Sequence, residues 1–128
     1  MVRYRTRVHG VTRFSVLGLR NLPKIGVAIQ VMGYRKKVRR LFESGWTTLT
    51  QEFVKVIGEK GTATFTGFLW GYHGEGPRGL VQLLVELGVP QYRAEEIAFN
   101  TPRLNTIGTD WLYDINTNKV TTALKEAA

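Results

Sequence analysis

The residues best suited to chemistry are few, and most of them are cations. Residues 1–42 hold eleven Arg and Lys and no Asp or Glu; the rest of the chain holds seven basic and ten acidic side chains. The net charge of +8 is therefore a basic third joined to a mildly acidic remainder. Such an asymmetry suits a polyanion or an acidic protein surface. Eight cations fall into two groups: Arg3, Arg5 and Arg7, then Arg35, Lys36, Lys37, Arg39 and Arg40. Phosphate neutralisation by such side chains gives sequence-independent, salt-dependent binding, and the same charges can dock on an acidic neighbour. Tyr4 and Tyr34 interleave with them but fall on apolar arcs, which reads as core.

Catalytic chemistry has little to work with. The chain has no cysteine, so disulfides, thiolate metal sites and a cysteine nucleophile are excluded. His73-Gly74-Glu75 has the HxE spacing of zinc deaminases without their PCxxC half. The glycine-rich run Gly71–Gly79 lacks the GK[ST] ending of a phosphate loop. The expectation is a protein that is not an enzyme and uses no cofactor or metal.

These cations must be held by elements, and periodicity suggests which. In Val2–Val8, valine, tyrosine and threonine alternate with Arg3, Arg5 and Arg7, the pattern of a half-buried strand. Its charges would also discourage edge-to-edge pairing. Gly10 then permits a turn. From Lys24 to Phe42, Val27, Val31, Tyr34, Val38, Leu41 and Phe42 share one arc at about 100° per residue, which predicts a helix. Its second half carries the five cations on the opposite side. A second helix is expected from Trp46, Leu49, Phe53, Val56 and Ile57, with Thr48 and Gln51 as a capping box. Thr62–Trp70 reads as a strand and Gly71–Gly79 as a loop. Leu80–Leu87 and Gln91–Phe99 read as two short helices split by Gly88-Val89-Pro90, and Asp110–Ile115 as a strand with Trp111, Tyr113 and Ile115 on one face. Asn116-Thr117-Asn118 is a turn, and Lys119–Leu124 either returns as a paired strand or starts a helix. The order predicts an α+β fold: a small mixed sheet of N-terminal and C-terminal strands packed with four short-to-medium helices, in one domain spanning 1–128.

Two local patterns resemble nucleic-acid readers. Val56-Ile57-Gly58-Glu59-Lys60-Gly61 is similar to the VIGxxG loop of KH domains, which sits between two helices; here a strand-like run follows. The Gly88-Val89-Pro90 hairpin could set Gln91 and Arg93 at the head of a recognition helix. More broadly, the strand Val2–Val8, Gly10, the amphipathic segments through Ile57 and the step Thr66-Gly67 resemble small neck and tail-completion proteins of tailed phages. That resemblance implies a virion structural protein and carries over no site residue.

The functional expectation is a structural subunit of a larger particle, a phage virion or a ribonucleoprotein. Its basic N-terminal third, residues 1–42, would face nucleic acid or an acidic neighbouring subunit. The alternative is a free-standing nucleic-acid-binding protein, for which a regulatory role is open. Partners would be other subunits, in a homo- or hetero-oligomer, or nucleic acid. No apolar run approaches the roughly 18 residues of a membrane span, and the N-terminus reads as neither signal peptide nor anchor. A virion or cytoplasmic setting follows from these expectations.

Overall fold

The computed structural model describes residues 2–5, 18–103 and 107–125. Its framework is a six-stranded sheet of β1 (Val2–Arg5), β2 (Ala28–Phe42), β3 (Gly45–Gly58), β4 (Gly61–Phe65), β5 (Gly108–Asp114) and β6 (Lys119–Lys125). The strand order is β1-β4-β3-β2-β5-β6. Pairing is antiparallel throughout except between the edge strand β1 and β4, which run parallel. A 3₁₀ helix (Gly18–Ile25), α1 (Glu75–Glu86), and α2 (Gln91–Glu95) continued by a π-turn (Glu96–Asn100) complete the described elements.

The expected sheet-plus-four-helices arrangement is corrected here, although the α+β class fits. The two segments that read as basic and capped helices are strands, β2 and β3, paired from Ala28↔Gly58 to Phe42↔Gly45. The cause is an ambiguity of spacing. Val27 and Val31, then Tyr34, Val38 and Phe42, then Leu49, Phe53 and Ile57 recur every four residues. An interval of four nearly closes a helical turn and also closes two strand periods. Residue type breaks the tie: Val31, Val38, Thr47, Thr48, Thr50, Val54, Val56 and Ile57 are β-branched, and their restricted χ1 favours the pleated surface. Glu43-Ser44 forms the turn, and Gly45 takes the φ of +113° needed to leave it.

The core lies on one face of the sheet. Val31, Val54, Val56, Ala63, Phe65, Trp111 and Tyr113 project from the strands and meet Leu80, Leu83 and Leu84 of α1 with Ala94, Ile97 and Ala98 of the second helical segment. Leu19, Leu22 and Ile25 of the 3₁₀ helix join this cluster. Leu80, Leu83 and Leu84 form the expected buried stripe, and Pro77 stands in the first turn of the helix, as its missing N–H suggests; the helix begins at Glu75, inside the glycine-rich run that reads as a loop.

β5 and β6 are joined by a turn in which Asn118 has a φ of +54°. Its side chain accepts the Tyr113 hydroxyl at 2.7 Å and donates to the Tyr92 hydroxyl at 3.3 Å. Arg93 donates to the Asn118 carbonyl and to its Oδ1, each at 3.3 Å, and pairs with Glu96 at 2.9 Å. Arg93, a candidate base reader, is thus spent on anchoring α2 to this turn. Burial pushes the Tyr113 phenol above its ordinary value. A phenol that ionises less readily when folded contributes stability fully present below its unfolded pKa, near 10, and lost as pH rises through the folded value. Unfolding free energy is therefore expected to fall from about pH 10 upward. Tyr113→Phe should flatten that decline, as read from denaturant titrations across the alkaline range.

Candidate functional site: a basic hairpin arm

The β2–β3 hairpin is longer than the sheet that holds it. β5 pairs with β2 only as far as Arg35, and β4 pairs with β3 only from Val54. Among the described residues, the seven pairs from Lys36↔Gln51 to Phe42↔Gly45 have no third strand beside them. At about 3.3 Å per residue they form a two-stranded arm roughly 20 Å long.

Strand alternation distributes the arm's side chains over two faces. Lys37, Arg39 and Leu41 lie on one face with Thr50, Thr48 and Trp46 opposite them; Lys36, Val38, Arg40 and Phe42 lie on the other with Gln51, Leu49 and Thr47. Four cations meet one carboxylate, Glu43, which sits in the turn. Among the described residues none of the four cations makes an ion pair. Three of them lean on an aromatic ring or an amide instead. The Arg39 guanidinium lies 5.1 Å from the Trp46 ring centre and the Lys36 ammonium 5.2 Å from that of Phe53, while Arg40 donates to Gln51. The tip is apolar: Leu41 is 66%, Phe42 48% and Trp46 62% exposed.

The root of the arm is built from charges the core must bury. Arg35, 4% exposed, donates to Asp110 Oδ1 at 3.1 Å, and its Nη1 lies 3.0 Å from Oδ2. Trp70 Nε1–H donates to Oδ2 at 2.7 Å. Glu52, the cross-strand partner of Arg35, lies 3.7 Å from its Nε and accepts from Arg103 at 2.7 Å. Arg103 in turn lies over Tyr72, 5.4 Å from the ring centre. Asp110 reaches this position because of a register shift: Gly33 pairs with Trp111 and Tyr34 with Thr109, so Asp110 is the extra residue of a bulge. Such a bulge re-aims one side chain. Asp110 is fully buried beside Trp111, where simple alternation would turn it to the opposite face. These interactions join the arm's last framed residues to the loops on both sides.

The eight cations expected to form one patch are thus divided. Lys36, Lys37, Arg39 and Arg40 are gathered on the arm. Arg35 is turned into the core by its carboxylate partners and cannot face a ligand with the others. Arg3 is exposed on β1, but its register runs through Thr62 and Ile57 to Gln30, six residues short of Lys36. Arg5 lies on the same edge strand, and Arg7, with residues 6–8 of the expected strand, lies outside the described residues. Sequence reasoning misses the apolar tip, because Leu41, Phe42 and Trp46 fit the buried stripes of the two expected helices.

The other motifs take ordinary structural places. Gly58-Glu59-Lys60-Gly61 is the tight connection between β3 and β4 and not a loop between helices. His73 is exposed and stacks on Phe99 at 4.3 Å, while Glu75 is exposed at the start of α1. No described helix is long and apolar enough to cross a membrane. Comparison of the chain with protein families, curated proteins and solved structures finds no match.

Proposed function

We propose that this chain is a structural subunit of a larger particle and that the hairpin arm is its docking element. The arm's cations would lie against nucleic acid or an acidic neighbouring surface. The observation that carries the reading is the arm itself: four cations without acidic partners among the described residues and three large exposed apolar side chains, on a ribbon that leaves the sheet from a clamped root. Exposed apolar clusters rimmed by charge mark interaction sites more often than idle surface. A tailed-phage virion, as the sequence resemblance implies, or a ribonucleoprotein is the kind of particle that such an arm would serve.

One observation favours the second reading, a free-standing nucleic-acid binder. Arg39 over Trp46 is an exposed cation–aromatic pair of the sort that stacks bases. Fluorescence anisotropy with a random duplex and a random single strand, titrated with salt, separates an arm that binds nucleic acid from one that docks on protein. A free binder gives a steep negative slope in log salt. The variant K36Q/K37Q/R39Q/R40Q is expected to shallow it by about 0.9 for each duplex phosphate that is no longer neutralised. A subunit that docks on protein shows weak binding in both forms. If the quadruple variant instead matches wild type in every binding and assembly assay, the arm is not the docking element.

A further inference from the structure

We infer that the arm is a wedge for duplex DNA: it enters the minor groove, its apolar tip inserts between base steps, and the duplex kinks around it. This rests on reading the arm as a docking element and names its partner. Leu41, Phe42 and Trp46 cluster in the last two cross-strand pairs of the hairpin and are 66%, 48% and 62% exposed. Arg40 and Arg39 stand in the next two pairs, and Lys37 and Lys36 lie beyond Val38. A partner must therefore offer negative charge along the arm and apolar surface at its end. Phosphates supply the first. In a nucleic acid the apolar surface is the faces of the bases, and in a duplex these open only where stacking is broken. Side chains such as Leu and Phe hold such openings and kink the duplex toward the major groove.

The distribution of charge favours a duplex over a flat acidic surface or a single strand. Lys37 and Arg39 lie on one face of the ribbon, Lys36 and Arg40 on the other. A groove presents phosphates on two sides, whereas an acidic protein face or a single strand meets one side and leaves the other two cations unmatched. Groove width then selects the mode. With side chains on both faces the ribbon is about 10 Å thick. The major groove, about 12 Å wide, admits such a ribbon undistorted, but its floor is mostly hydrogen-bonding edges and gives three apolar side chains little to bury against. The minor groove is about 6 Å wide and takes the ribbon only when opened, which is what a wedge at the tip does. Glu43, the arm's single carboxylate, agrees with this placement. It stands in the turn beyond the wedge, where phosphate would repel it but a guanine amine on the minor-groove edge can donate to it. In a bilayer the same turn would go deepest, and a carboxylate is costly in hydrocarbon.

The test joins binding to bending. Wild type is mixed with a short random-sequence DNA duplex that carries a donor and an acceptor dye at its ends. Energy transfer should rise on binding, as for a kink of roughly 20–90°. A central mismatch should tighten binding roughly tenfold, because an unpaired step is already partly unstacked. Trp46 reports insertion directly. The other two tryptophans, Trp70 and Trp111, are fully buried, so quenching of fluorescence by the duplex should belong to Trp46 and disappear in Trp46→Phe, which still bends DNA. L41S/F42S/W46S alters exposed positions alone; it should keep most of the wild-type salt slope and lose both the bend and the mismatch preference. A complex in which the duplex stays straight, a serine variant that bends it like wild type, or equal affinity for matched and mismatched duplex overturns the wedge. Failure of the wider reading looks different. If the duplex stays straight but the quadruple glutamine variant binds it more weakly than wild type, the wedge falls and docking by the arm stands. If wild type ignores the duplex and binds phosphatidylserine vesicles or polyglutamate, the wedge also falls, and docking by the arm stands only when the quadruple variant loses that binding. If that variant matches wild type toward all three probes, both readings fall.

Discussion

Asp110→Ala is expected to unfold at a much lower denaturant concentration than wild type, with a loss of about 3–5 kcal/mol, the cost of leaving one partner of a buried pair uncompensated. The Asp110 carboxylate is fully buried and receives both the Arg35 guanidinium and the Trp70 indole N–H. Its removal leaves the Arg35 charge buried, with Glu52, 3.7 Å away, as the remaining opposite sign among the described residues. It also orphans a buried donor, which alone costs about 1–3 kcal/mol. Glu52→Gln should cost clearly less. Glu52 keeps some solvent, its Arg103 partner is 36% exposed, and pairs open to water contribute little. Urea titration of the two variants beside wild type checks the order. An Asp110→Ala protein no weaker than Glu52→Gln would mean that the root is not held by its buried pair. The same change bears on docking: the root keeps the Glu52 contacts with Arg35 and Arg103 but loses its buried pair, so docking should weaken even though every tip residue is intact.

This network marks where reading the sequence stops. Strand patterns at Val2–Arg5 and Asp110–Asp114, the Leu80-Leu83-Leu84 stripe and the Asn116–Asn118 turn are visible because each depends on local spacing or turn chemistry. The hairpin is hidden because its apolar residues recur at intervals of four, which serve either period; only the density of β-branched residues argues for strands. Asp110 is hidden for a different reason. A bulge shifts register without leaving a mark in the alternation of its own strand, and the partner that makes burial tolerable, Arg35, lies 75 residues away. Arg35 itself looks like its neighbours Lys36 and Lys37, since charge alone does not say which of three adjacent cations a distant carboxylate will claim. The basic character of the candidate site is therefore legible, its shape is not, and its apolar tip is concealed by the same ambiguity that turns the hairpin into helices.

Gly33→Val is the second large effect expected, and its sign is decided by a competition. Placing a β-branched residue in a strand interior ordinarily helps, because glycine loses the most backbone freedom on folding, a gain of roughly 0.5–1 kcal/mol for the replacement. Gly33 sits opposite Trp111 on the core face of β2. A Cβ built there would stand 2.1 Å from Trp111 Nε1 and 2.5 Å from Cε2, far inside contact distance. The indole cannot retreat. Trp111 is fully buried and packs edge-on against Trp70, with ring centres 6.0 Å apart, and Trp70 is fixed by Asp110. Overpacking of this kind costs about 1–3 kcal/mol and sometimes more, so the clash outweighs the backbone gain and the variant is destabilised, valine more than alanine. Because the displaced ring leans on the arm's root, tryptophan fluorescence should shift along with the unfolding midpoint. Trp111→Phe frees the space the new methyl groups need, so Gly33→Ala should cost less in that background than in wild type. If the two changes are simply additive, the indole is not what forbids a side chain at position 33.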